Sequence, residues 1–253
     1  PVPYSLSFED EVAERLDESE SGRLIDAGDR TVIPGIVDTH VHVGGFGGRE
    51  RSVGHRMVAE TGVTTVLDMG SKLSTLTEGM AADGAGLNVA SLLSSTAAFG
   101  GKQDPDDAEI TAAIEAELAD GAFGLKLLGG HIPLTPDATA RCIEVANRIG
   151  VYVAYHLGTT ESSSNLHGLR ELPALLGEEG RLQVAHVAAY CRGMIEPPLQ
   201  ECEEAIAILG DLRGRVVSES YLSTQVGGGN ATSGHCDGDE VADQVTRNCL
   251  AMK

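Results

Sequence analysis

Seven short apolar, β-branched segments recur along this chain, and they leave few folds open. They fall at residues 32–37, 63–69, 87–93, 123–128, 151–157, 182–187 and 216–221. Near-continuous apolar runs of this length read as strands of a sheet covered on both faces. Helical segments lie between them: residues 49–60, closed by Thr61-Gly62, then 104–118, 135–150, 165–176, 199–209 and lastly 239–252. Asp104-Pro105-Asp106-Asp107 puts acids in a first helical turn, where the helix dipole favours them. Thr135-Pro136-Asp137 is a cap with Pro at the first helical position, and Gly150 ends that helix. The repeat of roughly thirty residues is the size of a βαβ unit. Such units build either a doubly wound sheet or a barrel. Seven in line, with polar residues on several different strand ends, favour the barrel. The 32 glycines suit many short strand-to-helix connections.

The length of 253 residues is one large domain or two small ones and is ample for a core. Hydrophobic residues make up 42%, so the chain is globular. The formal net charge is −20, with 38 acidic against 18 basic residues, of which only four are Lys. That balance argues against nucleic acid and against an anionic membrane as partners. It fits a salt-rich cytoplasm, where repulsion is screened, as well as ordinary acidic solubility. Five Cys without a CxxC, no signal peptide and no apolar run of transmembrane length read as a reduced, cytoplasmic protein. The first 31 residues are poorly patterned. Ser5-Leu6-Ser7-Phe8 reads as one short strand, residues 9–20 as a solvated acidic run, and residues 24–30 as a strand and a turn.

Chemistry accumulates on the strand ends. The first segment runs into Asp38-Thr39-His40-Val41-His42, and residues two apart on a strand share a face. His40 and His42 therefore project together, as half of a metal site would. His156 and His186 end the fifth and sixth segments. Lys126 sits inside Gly124-Leu125-Lys126-Leu127-Leu128-Gly129-Gly130, flanked by Leu. A buried ammonium is costly, and the usual response is a depressed pKa. A neutral buried amine can form a Schiff base, or take up carbon dioxide as a carbamate. The bland alternatives are a snorkelling lysine and hydrogen-bonded rim histidines.

The motif from Pro34 to His42, followed by Lys126, His156 and His186, resembles the metal-dependent amidohydrolase superfamily. The likeness is to its binuclear branch, which includes dihydroorotases, hydantoinases and isoaspartyl dipeptidases. The resemblance implies an α/β fold, a (β/α)8 TIM-like barrel, with residues 1–31 a remnant of a small β-sandwich and residues 32–253 the barrel. It implies two divalent metal ions, zinc first, with manganese, iron, cobalt or nickel as substitutes. His40 and His42 would bind the buried ion, His156 and His186 the outer one, and carboxylated Lys126 would bridge them. The implied function is hydrolysis of an amide, cyclic amide or N-acyl C–N bond by a hydroxide bridging the two metals. Tyr155, Tyr190, Arg192 and His131 lie at strand ends as candidates to hold a small-molecule amide substrate, and a homo-oligomer is the expected state.

One departure from the family stands out. Its eighth-strand metal-binding aspartate has no counterpart, since seven strands are countable, and the reading is of a barrel incomplete at its C-terminus. Asp237, in Gly234-His235-Cys236-Asp237-Gly238, occupies a loop position and is a poor stand-in. An open barrel seam leaves an unpaired apolar edge. Two other functions compete. A mononuclear deaminase of a heterocycle needs one metal and no strand-embedded lysine. A catalytically inactive homologue would serve as an assembly subunit. The charge makes its own prediction. If it is an adaptation to salt, the melting temperature should rise with sodium or potassium chloride into the molar range as screening relieves repulsion. A flat or falling curve would rule that adaptation out.

Overall fold

The computed structural model describes residues 6–9, 12–15, 29–43 and 53–220. The chain divides into two compact units, Pro1–Pro34 and Gly35–Lys253. In the first, β1 (Leu6–Glu9) and β2 (Val12–Arg15) pair antiparallel. The first strand was expected. The second lies within the acidic run that reads as solvated. A backbone partner in register makes a strand there despite the composition. Most of the strand expected at 24–30, the helix at 239–252 and Asp237 fall outside the described residues.

In the second unit, β3 (Ile36–Val41), β4 (Val63–Asp68), β5 (Asn88–Ser94), β6 (Gly124–Leu128), β7 (Tyr152–His156), β8 (Leu182–Val184) and β9 (Val216–Ser218) form one parallel sheet. Each strand corresponds to one of the seven apolar segments. Their order in the sheet is their order in the sequence. A doubly wound sheet must reverse direction at a switch point. This one does not, so the strands curl as a partial barrel. The apolar segments at 182–187 and 216–221 overestimate their strands, which stop at Val184 and Ser218. β3 and β9 close the described sheet at either end, and both carry exposed apolar side chains: Ile36, Val37 and Val217.

The covering helices are α1 (Val53–Glu60), α2 (Leu73–Asp83), α3 (Ser95–Phe99), α4 (Asp107–Ala119), α5 (Pro136–Ile149), α6 (Leu166–Leu176) and α7 (Pro198–Asp211). α4 begins with a reciprocal capping box. The Asp106 carboxylate accepts from the Glu109 N–H at 2.9 Å, and the Glu109 carboxylate accepts from the Asp106 N–H at 2.9 Å. Thr135 caps α5 through the Ala138 N–H, and Gly150 ends it in the left-handed region at φ 87°. α2 was not anticipated, because Ser, Thr and a mid-helix Gly79 dilute its periodicity. No helix of the described residues is long and apolar enough to cross a membrane.

Two layers of core follow from strand alternation. Leu93, Leu125, Leu127, Val153 and Tyr155 pack outward against Ile110, Ile114 and Ile143 of α4 and α5. Leu67, Met69, Leu92 and Ala154 fill the inside of the curl. Lys126 lies between Leu125 and Leu127 and pairs across the ladder with Ala154, so it belongs to the inner face. The outer layer carries most of the apolar burial. Ile143 is 1% exposed there, and Ile143→Ala should cost about 2–5 kcal/mol in urea denaturation at unchanged m-value. A loss below about 1 kcal/mol would mean that the layer is not close-packed.

Candidate metal centre

His40 and His42 leave the end of β3 side by side, with ring centroids 5.4 Å apart. Two contacts with β4 set that strand end. The Val41 carbonyl accepts from the Met69 N–H at 2.8 Å. The Asp68 carboxylate, fully buried, accepts from the N–H groups of Val43 and Ser71, each at 2.7 Å. Asp68 thereby fastens the turn after His42 to the end of β4, a role that sequence pattern does not reveal.

His156 ends β7, and His186 follows β8. Their rings lie 4.4 Å apart, and His186 lies 5.2 Å from His40. The parallel sheet has brought four histidines from three strands to one rim. His186 has φ 36°, which makes it the one non-glycine residue with positive φ among the described residues. Backbone strain of this kind gathers at functional sites. Here it turns the chain from β8 into a 3-10 turn, Val187–Tyr190.

Lys126 is 1% exposed, and its Nζ is buried without a hydrogen-bond partner. Desolvation pushes its pKa down to about 7, against the opposing charge of Glu219. The flanking Leu residues are not what buries it, since they face the helices. The interior of the curl does. Lys126 adds to the burial and the neighbouring rings that hold His42, His156 and His186 below the ordinary imidazole range. His40, His42, Lys126, His156 and His186 therefore converge.

The double glycine after Lys126 has a steric reason. A Cβ on Gly130 would sit 1.9 Å from His156 Nε2 and 2.8 Å from Ser164 Oγ. Glycine lets the loop after β6 lie directly against the histidine on β7. Ser164 Oγ meets His156 Nε2 at 2.8 Å and so engages that ring nitrogen.

Of the candidate substrate contacts, His131 stays at the mouth, exposed, with its ring 4.6 Å from His156. Arg192 is exposed on the loop after the 3-10 turn. Tyr155 and Tyr190 are both buried, and the Tyr190 ring lies 5.6 Å from that of His186. Each is 1% exposed and packs in the outer layer. The Tyr155 hydroxyl donates to the Gly158 carbonyl at 2.9 Å, and the Tyr190 hydroxyl accepts from the Leu157 N–H at 2.9 Å. Alternation explains Tyr155: a residue next to an inward His156 must point outward.

Glu219, just beyond β9, escaped the sequence reading. Its carboxylate pairs with His40 Nδ1, accepts from the His186 N–H, and accepts from Gln183 Nε2 at 3.2 Å. The Gln183 carbonyl oxygen is held in turn by the Tyr152 hydroxyl. Burial alone would raise the Glu219 pKa, but these bonds and the His40 charge hold it below the usual carboxylate range.

Among the described residues, no three His, Cys, Asp or Glu side chains already form a metal cage. The donor chemistry nevertheless fits divalent metal. Three of the four imidazoles are held below their ordinary pKa and are neutral at pH 7, as ligands must be. The fifth group is a desolvated amine with no other bond.

No protein-family model and no curated protein matches the sequence. Solved structures match in fold. One is a protein described only as uncharacterized, with TM-score 0.56, 16% identity, and coverage of 94% of this chain and 67% of that one. Another is N-acyl-D-glutamate deacylase from Bordetella bronchiseptica, complexed with zinc and a phosphonate inhibitor, at TM-score 0.51 and 17% identity. That match covers 74% of this chain and 47% of the deacylase, so this chain spans less than half of its length. A third is enamidase, described as a member of the amidohydrolase superfamily, at TM-score 0.41 and 19% identity, covering 74% and 56%. At these identities the likeness establishes the fold alone, a partial (β/α) barrel.

The buried histidines should make the protein acid-sensitive when no metal is bound. Burial, then Lys126 and His40, push His186 from 6.5 down to about 3. Above pH 6.5 the ring is neutral in both states. Between 6.5 and 3 the unfolded chain takes the proton and the folded chain refuses it, so stability is lost as pH falls. Chelator-treated protein should lose urea resistance across that window, and His186→Asn should flatten the loss. An unchanged slope in the variant would assign the acid sensitivity elsewhere.

Proposed function

Taking the fold as that of metal-dependent amidohydrolases, we propose that this chain carries a binuclear centre for hydrolysis of an amide, cyclic amide or N-acyl C–N bond. The observation that carries the reading is Lys126, a buried amine without a hydrogen-bond partner, on the inner face of the curl amid histidines from three strands. A structural lysine would reach water or a carboxylate. This one does neither among the described residues.

His40 and His42 would hold one ion, His156 and His186 the other, and Lys126 would bridge them as a carbamate. When bound, two divalent ions supply a water acidified toward neutral pH and a polarised carbonyl. The residues of the chain prepare the site. With its pKa near 7, a large share of Lys126 is neutral amine at physiological pH. Its nitrogen lone pair would attack the carbon of carbon dioxide and one N–H proton would leave to solvent, which turns a neutral amine into an anionic oxygen donor. Ser164 orients the ring of His156 through Nε2. His131, exposed beside the His156 ring, and Arg192, exposed on the loop after the 3-10 turn, would meet an acyl or carboxylate group of substrate. An N-acylated amino acid is a natural first substrate to assay, by analogy with the deacylase that shares the fold.

Metal content tests the reading. The protein should bind close to two zinc ions per chain. Lys126→Ala should lose the pair while keeping its circular dichroism, because the sheet is built by the apolar residues. Short-chain carboxylic acids should restore part of the binding by occupying the vacated bridge. One ion per chain, unaffected by Lys126→Ala, would favour the mononuclear deaminase. No bound metal in a fully folded protein would favour the inactive homologue.

A further inference from the structure

Glu219 is not among the residues that the sequence motif or the proposed ligand set names, yet its carboxylate bonds two members of the cluster, His40 and His186. We propose that Glu219 is a positioning residue of the metal centre. It holds His40 by Nδ1 so that Nε2 is presented to an ion, and it fixes the backbone from which His186 projects. The proposal rests on the metal reading above and adds to it a residue acting on both halves of the site.

The argument is geometric. A neutral imidazole has one N–H and one bare nitrogen. The Glu219 carboxylate accepts the Nδ1–H of His40, so Nε2 carries the lone pair. The second carboxylate oxygen accepts from the backbone N–H of His186. The Glu219 carbonyl also accepts from the Val187 N–H at 2.9 Å. Both bonds brace the left-handed turn at His186, whose φ of 36° is unfavourable without support. The carboxylate is itself held. Gln183, 2% exposed, donates to it at 3.2 Å and is anchored at its far end by the Tyr152 hydroxyl. One carboxylate thus ties β3, β8 and the chain after β9 together at the rim. With both oxygens engaged by protein donors, it suits support of a ligand better than service as one. Groups that support a metal-binding imidazole this way are worth 10–100-fold in metal affinity.

The test compares wild type, Glu219→Gln and Glu219→Ala. It measures zinc content at saturation, zinc affinity by chelator competition, the visible spectrum of the cobalt-substituted protein, and the melting temperature without metal. Glu219→Gln keeps the size and an oxygen for His40 but loses the charge and the second acceptor, and it guards against an alanine variant that fails to fold. Both variants are expected to reach the wild-type zinc content at saturation. Affinity should fall about 10–100-fold in Glu219→Ala and less in Glu219→Gln, with an altered cobalt spectrum in each. Unchanged affinity and spectrum with only a lower melting temperature would reduce Glu219 to a structural tie and overturn the proposal. Loss of one ion at saturation in Glu219→Gln would make it a direct ligand and overturn it as well. If the wild type itself binds no zinc, the binuclear reading fails first, and that result is distinct from either.

Discussion

A primary amine sealed inside a partial barrel is the constraint on which the rest of the site depends. An ammonium ion away from water and without a partner is too costly to persist, so the group gives up its proton more readily than a surface lysine. Lys126 meets this description, at 1% exposure and with a pKa near 7. Its positive charge when protonated, together with burial, also keeps the nearby imidazoles neutral. Neutral imidazoles and an uncharged amine are weak bases poised to bind cations. They make poor hydrophobic core.

The sheet brings these groups together cheaply. Because β3 to β9 lie in sequence order, each strand end reaches the same rim, and no long connection is needed to meet a neighbour. Close approach is then limited by loop bulk. Gly129 and Gly130 remove it where the loop after β6 meets the backbone and ring of the β7 end. Polar backbone at the rim is satisfied by two carboxylates. Asp68 ties the β3 and β4 ends, and Glu219 ties β3 to β8. Neither reaches its role through local sequence. Asp68 bonds a residue 25 positions earlier, and Glu219 bonds one 179 positions earlier.

The two faces of each strand separate scaffold from chemistry. Leu125, Leu127, Val153 and Tyr155 point to the helices and carry stability, while Lys126 and His156 point inward to the cluster. A change on one face can thus be made with limited cost to the other. Tyr155 and His156 show how sharp the division is. They are adjacent in sequence, and one hydrogen-bonds within the core while the other lines the cluster.

What the sequence determined by itself is what repeats locally. Seven apolar segments at regular spacing specify parallel strands. A His-x-His at a strand end specifies two side chains on one face, because strand periodicity is two. The caps at Asp106 and Thr135 are readable for the same reason, since donor and acceptor are three residues apart. Lys126, His156 and His186 could be picked out because each is a polar residue in or just after an apolar strand. Tertiary structure alone decided the rest. It chose the barrel over the doubly wound sheet through strand order. It withdrew Tyr155 and Tyr190 to the core and put a strand into an acidic run. It also recruited Asp68, Ser164 and Glu219, ordinary polar residues in their own neighbourhoods. Their partners are far away in the chain or across a loop, and nothing in a local pattern encodes a hydrogen bond that exists only once the strands have curled.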